Sequence, residues 1–143
     1  MSVFTRDEID YLTSQTLARL ATVGPDGRPH VIPVTFTFND EEDAIDVGDI
    51  AFAKGKKWRD ATQNQKVTIL VDDVIPEPRR ARAVEIRGDA ELHETGGDRI
   101  NPRFGNFTPE FLRIRPKRIV SWGVEEREGT DAQGMRTNAR SVG

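Results

Sequence analysis

Cysteine is absent from the 143 residues, which excludes disulfide frameworks, thiolate nucleophiles, iron–sulfur clusters and cysteine-type zinc sites. Histidine occurs only as His30 and His93, in separate segments and without spaced carboxylates beside them, so no metal site is expected. Basic charge is not in excess. Twenty-one Lys+Arg stand against 24 Asp+Glu, a formal net charge of −3, which argues against a nucleic-acid-coating protein and makes any anion site a local one. No apolar run approaches the roughly 20 residues of a membrane span. The stretch from Met1 to Glu8 also lacks the apolar core of a secretory leader. The expectation is a soluble cytoplasmic protein with neither a membrane nor a nucleic-acid partner. Familiar catalytic signatures are missing as well. Neither Ser14 nor Ser121 stands in a Gly-x-Ser-x-Gly elbow, Gly55-Lys56-Lys57 lacks the first glycine and the Ser/Thr of a phosphate loop, and no Gly-x-Gly-x-x-Gly follows a strand.

What is present is one domain's worth of short alternating segments. Thr5-Arg6-Asp7-Glu8 has the form of a capping box, so a short helix running to about Gln15 is expected, with Ile9 and Leu12 inward. Residues 17–23 read as a strand stopped by the turn residues Gly24-Pro25-Asp26-Gly27. From His30 to Phe38, Ile32, Val34, Phe36 and Phe38 share one face at period two, while Val31, Pro33, Thr35 and Thr37 share the other. The two runs make a hairpin. Pro33 cannot donate to a ladder, so its nitrogen must face an edge, a bulge or a ligand. Residues 44–47 form a short strand, 54–64 a helix and 66–72 a strand; 73–80, with Pro76 and Pro78, reads as a loop. A long strand follows over 82–94, with Val84, Ile86, Ala90 and Leu92 inward, then an irregular stretch over 95–108 and a strand or strand pair over 111–124. The pattern is mainly β with two short helices, an antiparallel barrel of six to seven strands. The domain spans 1–125, and 126–143 has too few apolar side chains to offset its ordering entropy, so it reads as a disordered tail.

The informative cluster is Lys54-Gly55-Lys56-Lys57-Trp58-Arg59. Three lysines at a helix start, where the dipole is already positive, are locally unfavourable unless an anion completes the site. A phosphate site and a solvated basic helix relieved by Asp60, four residues from Lys56, are equally compatible with the residues alone. Removing Lys57 is expected to leave the empty protein as stable as before, or slightly more so. A second basic group, Arg79, Arg80 and Arg82, flanks the proline-containing segment, and by itself it reads as surface charge around Asp72, Asp73 and Glu77.

Taken in order, Arg19-Leu20-Ala21-Thr22-Val23, Gly27 through Val34, Lys56-Lys57 ahead of Asn64-Gln65-Lys66-Val67, and Glu85 through Glu91 resemble the pyridoxamine-phosphate-oxidase-like split-barrel flavoproteins. With Ile114 through Gly123 closing the series, the chain is most similar to the branch assigned to the deazaflavin coenzyme F420. The resemblance covers about residues 3 to 125, and Asn64-Gln65 departs from the usual Asn-Pro or Asp-Pro. It implies an FMN-binding split barrel, a homodimer with the cofactor at its interface, and hydride transfer between coenzyme F420 and a small organic substrate. An FMN enzyme of the same fold and a flavin- or deazaflavin-binding protein without turnover are the alternatives. Lys57 and then Lys56 match the cofactor-phosphate contacts, with Lys54 beside them. Val31, Ile32, Pro33 and Val34 match the strand along the ring, and Trp122 matches the segment that approaches the cofactor, a buried core tryptophan being its other reading. Arg82, with Arg79 and Arg80, would reach a phosphate or acidic tail bound to the partner. No side chain is assigned as acid or base.

Overall fold

The computed structural model describes residues 1–102, 105–125 and 137–143. Helix α1 (Arg6–Ser14) starts as its capping box dictates. The Glu8 amide donates to Thr5 Oγ1 at 3.2 Å and the Thr5 amide donates to Glu8 Oε1 at 2.9 Å. Strands β1 (Leu17–Val23) and β2 (Pro29–Asn39) form the expected hairpin, with Leu17 opposite Thr35 and Val23 opposite Pro29. Gly27 takes a φ of 75° in the connecting turn, a conformation that suits glycine. There follow β3 (Ala44–Gly48), a single 3-10 turn (Phe52–Lys54), α2 (Lys56–Gln63), β4 (Lys66–Pro76), β5 (Arg79–His93), β6 (Phe111–Trp122) and β7 (Thr137–Ser141).

All pairings are antiparallel, in the order β3-β2-β1-β4-β5-β6-β7, and β3 also pairs with β6. The first half of β6 closes a six-strand ring through Leu112, Arg113 and Ile114 against β3, while its second half, Arg118 to Trp122, turns away and takes β7 instead. This parting of β6 between two neighbours makes the ring a split barrel rather than a regular one. The interior is apolar: Leu20, Ile45, Val47, Ile69, Ile86, Leu112, Ile114 and Ile119 are all essentially inaccessible. Helix α1 seals one side with Tyr11 and Leu12. Helix α2 contributes Ala61, and Trp58 meets Phe52 edge-on at 5.3 Å. Among the described residues, no helix is long and apolar enough to cross a membrane.

Two sequence expectations are corrected. The segment 73–80 is not a loop, because β4 and β5 continue as one ladder through Asp73–Arg82, Val74–Ala81, Ile75–Arg80 and Pro76–Arg79. Its prolines sit at the hairpin tip, where a missing amide donor costs nothing. Nor is the end of the chain a disordered tail. Thr137–Ser141 forms β7, with Ser121 facing Asn138 and Ile119 facing Arg140, while 126–136 lies outside the described residues.

Gly88 marks where β5 is drawn onto β6. The register shifts between Arg87 and Gly88, Gly88 faces Pro116, and a Cβ at this position would stand 2.1 Å from the Arg115 carbonyl oxygen. Gly88→Ala is therefore expected to destabilise by at least about 1–3 kcal/mol, the cost of overpacking. A chemical-denaturation midpoint equal to that of the parent protein would contradict this.

Candidate active site

Strand β3 covers β2 only from Thr35 to Asn39, so the edge of β2 from Pro29 to Val34 has no ladder partner on that side among the described residues. Pro33, which cannot donate, stands on this uncovered edge. After Gly48 the chain leaves the sheet, and a cleft of about 410 Å³ opens between Pro33, Val34 and Thr35 on one side and Asp49 and Ile50 on the other. Its surroundings are unusually apolar for a surface, with Leu17, Val31 and Ile50 each at least half exposed.

One wall is held by side chains that the sequence reading passed over. Phe107 packs on Gly48, where a Cβ would come within 2.8 Å of its ring. Thr108 next to it fastens the loop: its amide donates to the Asp49 carbonyl at 2.9 Å, its hydroxyl donates to the same oxygen at 3.2 Å, and the Phe52 amide donates to Thr108 Oγ1 at 3.3 Å. These bonds fix Asp49 at the cleft. The Asp49 carboxylate in turn accepts from the Lys57 ammonium, which lies 4.9 Å from the centre of the Phe52 ring. The Lys57 side chain is 7% exposed against 36% for Asp49, so the lysine is a packed part of the wall and the carboxylate is the group that faces the cleft.

The lysines do not converge. Helix α2 begins at Lys56, so Lys54 belongs to the preceding 3-10 turn and points into solvent. Lys56 donates to Asp60 Oδ1 at 3.0 Å, one turn along, as the sequence reading of a charge-relieved helix has it. Asp60 is itself buried and accepts from Thr22 at 3.0 Å. Burial pushes its pKa up, but the bonds from Lys56 and Thr22 outweigh this and hold it below the usual aspartate value. Both ends of that pair lie over Gly24, where a Cβ would be 3.2 Å from the Lys56 ammonium.

Arg82 is fastened elsewhere. It makes a two-point bridge to Asp73 at 2.9 and 2.6 Å and lies 4.9 Å over the ring of Tyr11, whose hydroxyl donates to Asp73 at 2.9 Å. Trp122 is half-buried at the end of β6, between Ala83 and Thr137. Of the nine residues singled out from the sequence, Pro33 and Val34 line the cleft, Val31 and Ile32 continue the same strand, and Lys57 reaches it through Asp49. Lys54, Lys56, Arg82 and Trp122 are not in its lining.

The sequence profile of the family described as "Pyridoxamine 5'-phosphate oxidase" matches residues 5–123. A 5a,11a-dehydrotetracycline/5a,11a-dehydrooxytetracycline reductase from Streptomyces rimosus is 41% identical over 123 residues, 85% of this chain and 84% of that protein. Among solved structures, an F420 reductase superposes with a TM-score of 0.59 at 25% identity, covering 75% of this chain and 90% of that one. A conserved hypothetical protein from Mycobacterium tuberculosis superposes with a TM-score of 0.69 at 24% identity, covering 87% and 88%. An FAD-binding protein from Mycobacterium smegmatis covers 98% of this chain and all of its own with a TM-score of 0.58 at 20% identity, a likeness of fold. A split barrel with an uncovered apolar strand edge, a profile match across nearly the whole ring and a reductase relative of the same length lead to one conclusion: the chain belongs to the pyridoxamine 5'-phosphate oxidase family and is an oxidoreductase.

Proposed function

We propose that the protein transfers hydride between the deazaflavin coenzyme F420 and a small organic substrate, as a homodimer with the cofactor at the interface of two rings. The observation that carries this reading is the uncovered edge of β2, which brings Pro33 and Val34 to the cleft beside the Asp49–Lys57 pair. Free main-chain groups along that edge suit the polar rim of a ring system, and Pro33 adds a flat apolar surface without a competing donor. Leu17 and Ile50 keep water from the ring face. Lys57, released from Asp49, would meet a phosphate, with exposed Lys54 nearby in sequence as a second cation.

When bound, the deazaflavin supplies the hydride chemistry, and the chain supplies binding, orientation and a dry face. The relative that reduces dehydrotetracyclines and the F420 reductase of like fold both support this reading. FMN is the second reading, because a flavin and a deazaflavin would present the same phosphate and ring contacts to this fold.

Anaerobic mixing of the protein with reduced F420 or reduced FMN, together with an enone acceptor, tests the assignment. Multiple turnovers are expected with F420. Turnover with FMN alone would move the chain to the second reading, and tight binding of both without turnover would make it a carrier.

A further inference from the structure

A second cavity, of about 750 Å³, adjoins the cleft and shares Leu17 and Thr35 with it. It lies within the size range of about 300–1,000 Å³ that holds small ligands. Although 31% of the chain is charged, no charged side chain lines this trough among the described residues. Its walls are Leu17 and Phe38 on the apolar side and Gln15, Thr16, Thr35 and Thr37 on the polar side. Thr35 and Thr37 are half-buried neighbours on one face of β2, about 6.8 Å apart by strand geometry. Their hydroxyls make no hydrogen bond among the described residues. At its far end the trough shares Thr37 and Phe38 with a further cavity, where Glu42 and Asp46 are paired with Arg113 and where Asp40, Glu41 and Arg99 stand on the rim.

The geometry points to this trough as the binding site for the second substrate, an uncharged fused-ring compound bearing hydroxyl or carbonyl groups on neighbouring rings, with negatively charged compounds rejected. The assignment rests on the cofactor reading only in that the shared wall at Leu17 and Thr35 brings such a compound beside the cofactor. Fused rings bury well against Leu17 and Phe38, and two hydroxyls spaced two residues apart on a strand read two oxygens without requiring a charge. An ionised group would leave water for a lining that holds no charged side chain to pair with it among the described residues.

The test uses the full chain without cofactor and two dyes followed by fluorescence: quinizarin, an uncharged dihydroxyanthraquinone, and quinizarin sulfonate. Quinizarin is expected to bind at least tenfold more tightly than its sulfonate. Thr37→Asp is expected to weaken quinizarin binding at least tenfold, and Thr37→Val several-fold with recovery in Thr37→Ser. Melting temperatures accompany each variant, and the Val/Ser pair carries the test by itself where the aspartate variant does not fold. Affinity for F420 and FMN, titrated into the same proteins, should change less than twofold. Equal affinity for the two dyes, or quinizarin binding indifferent to Thr37, would overturn the assignment. Failure of both cofactors to bind the unaltered protein, with dye discrimination intact, would remove the cofactor reading and leave the trough standing. Cofactor binding without dye discrimination would do the reverse.

Discussion

Arg140→Ala should lower the free energy of unfolding by about 3–5 kcal/mol, the cost of breaking a buried ion pair from one side. The reason is the setting of Glu8, a residue whose capping role hides a second one. Its side chain is fully inaccessible, yet it is ionised: it accepts from Ser121 Oγ at 2.6 Å and from both ends of the Arg140 guanidinium at 3.0 and 2.7 Å, besides the Thr5 amide. Arg140 also donates to the Val3 carbonyl at 2.7 Å, so one side chain of β7 ties the last strand to the first helix. Without it the carboxylate stays buried with no cation.

The pH dependence follows from the same contacts. Burial pushes the Glu8 pKa up, while bonds from Arg140, Ser121 and the Thr5 amide pull it down and prevail, leaving it below the ordinary value of 4.5. A depressed carboxylate contributes stability that is present above the unfolded value and lost as pH falls through the folded one. Removing Arg140 lets burial win, and Glu8 then prefers to be protonated. The stability difference between parent and Arg140→Ala should be largest at neutral pH and should shrink as pH falls, first through the raised Glu8 value of the variant and then through the lowered value of the parent. Denaturant melts at several pH values measure it, and a difference that is small at neutral pH, or constant across the range, would contradict the account. Deleting 137–143 should reproduce most of the loss.

Lys57→Ala has the other large effect, and the structure changes its expected sign on stability. From sequence, a cation at the positive end of α2 can be removed without loss. In the fold the same lysine is packed on Phe52 and paired with Asp49, so its removal should cost the empty protein about 1–3 kcal/mol. Asp49 is exposed enough to be rehydrated, which keeps the loss below that for Arg140.

This reversal shows where the sequence is legible and where it is not. The capping box, the β1–β2 hairpin and the inward faces of the strands follow from spacing alone, because each is a local pattern with a period or a fixed offset. Strand β7 is different. Thr137-Asn138-Ala139-Arg140-Ser141 has no apolar alternation, and it is held by the ladder to β6 and by a pair 132 residues apart in sequence. Asp49 and Thr108 were equally hard to see, since an aspartate after a glycine and a threonine in an irregular stretch carry no mark of the contact between them. Pro33 is the intermediate case: its missing amide predicts an edge or a ligand, and the fold supplies the edge.

The central claim is that the cleft between β2 and Asp49 binds a deazaflavin whose phosphate meets Lys57. Titration of F420 and FMN, each into the parent protein and Lys57→Ala under conditions where both remain folded, tests it most directly. The account predicts binding of F420 by the parent protein and a loss of about ten- to a hundredfold in the variant, the share of one charge-assisted contact. Affinity for both cofactors unchanged by the substitution would contradict it and return Lys57 to a purely structural role beneath Asp49.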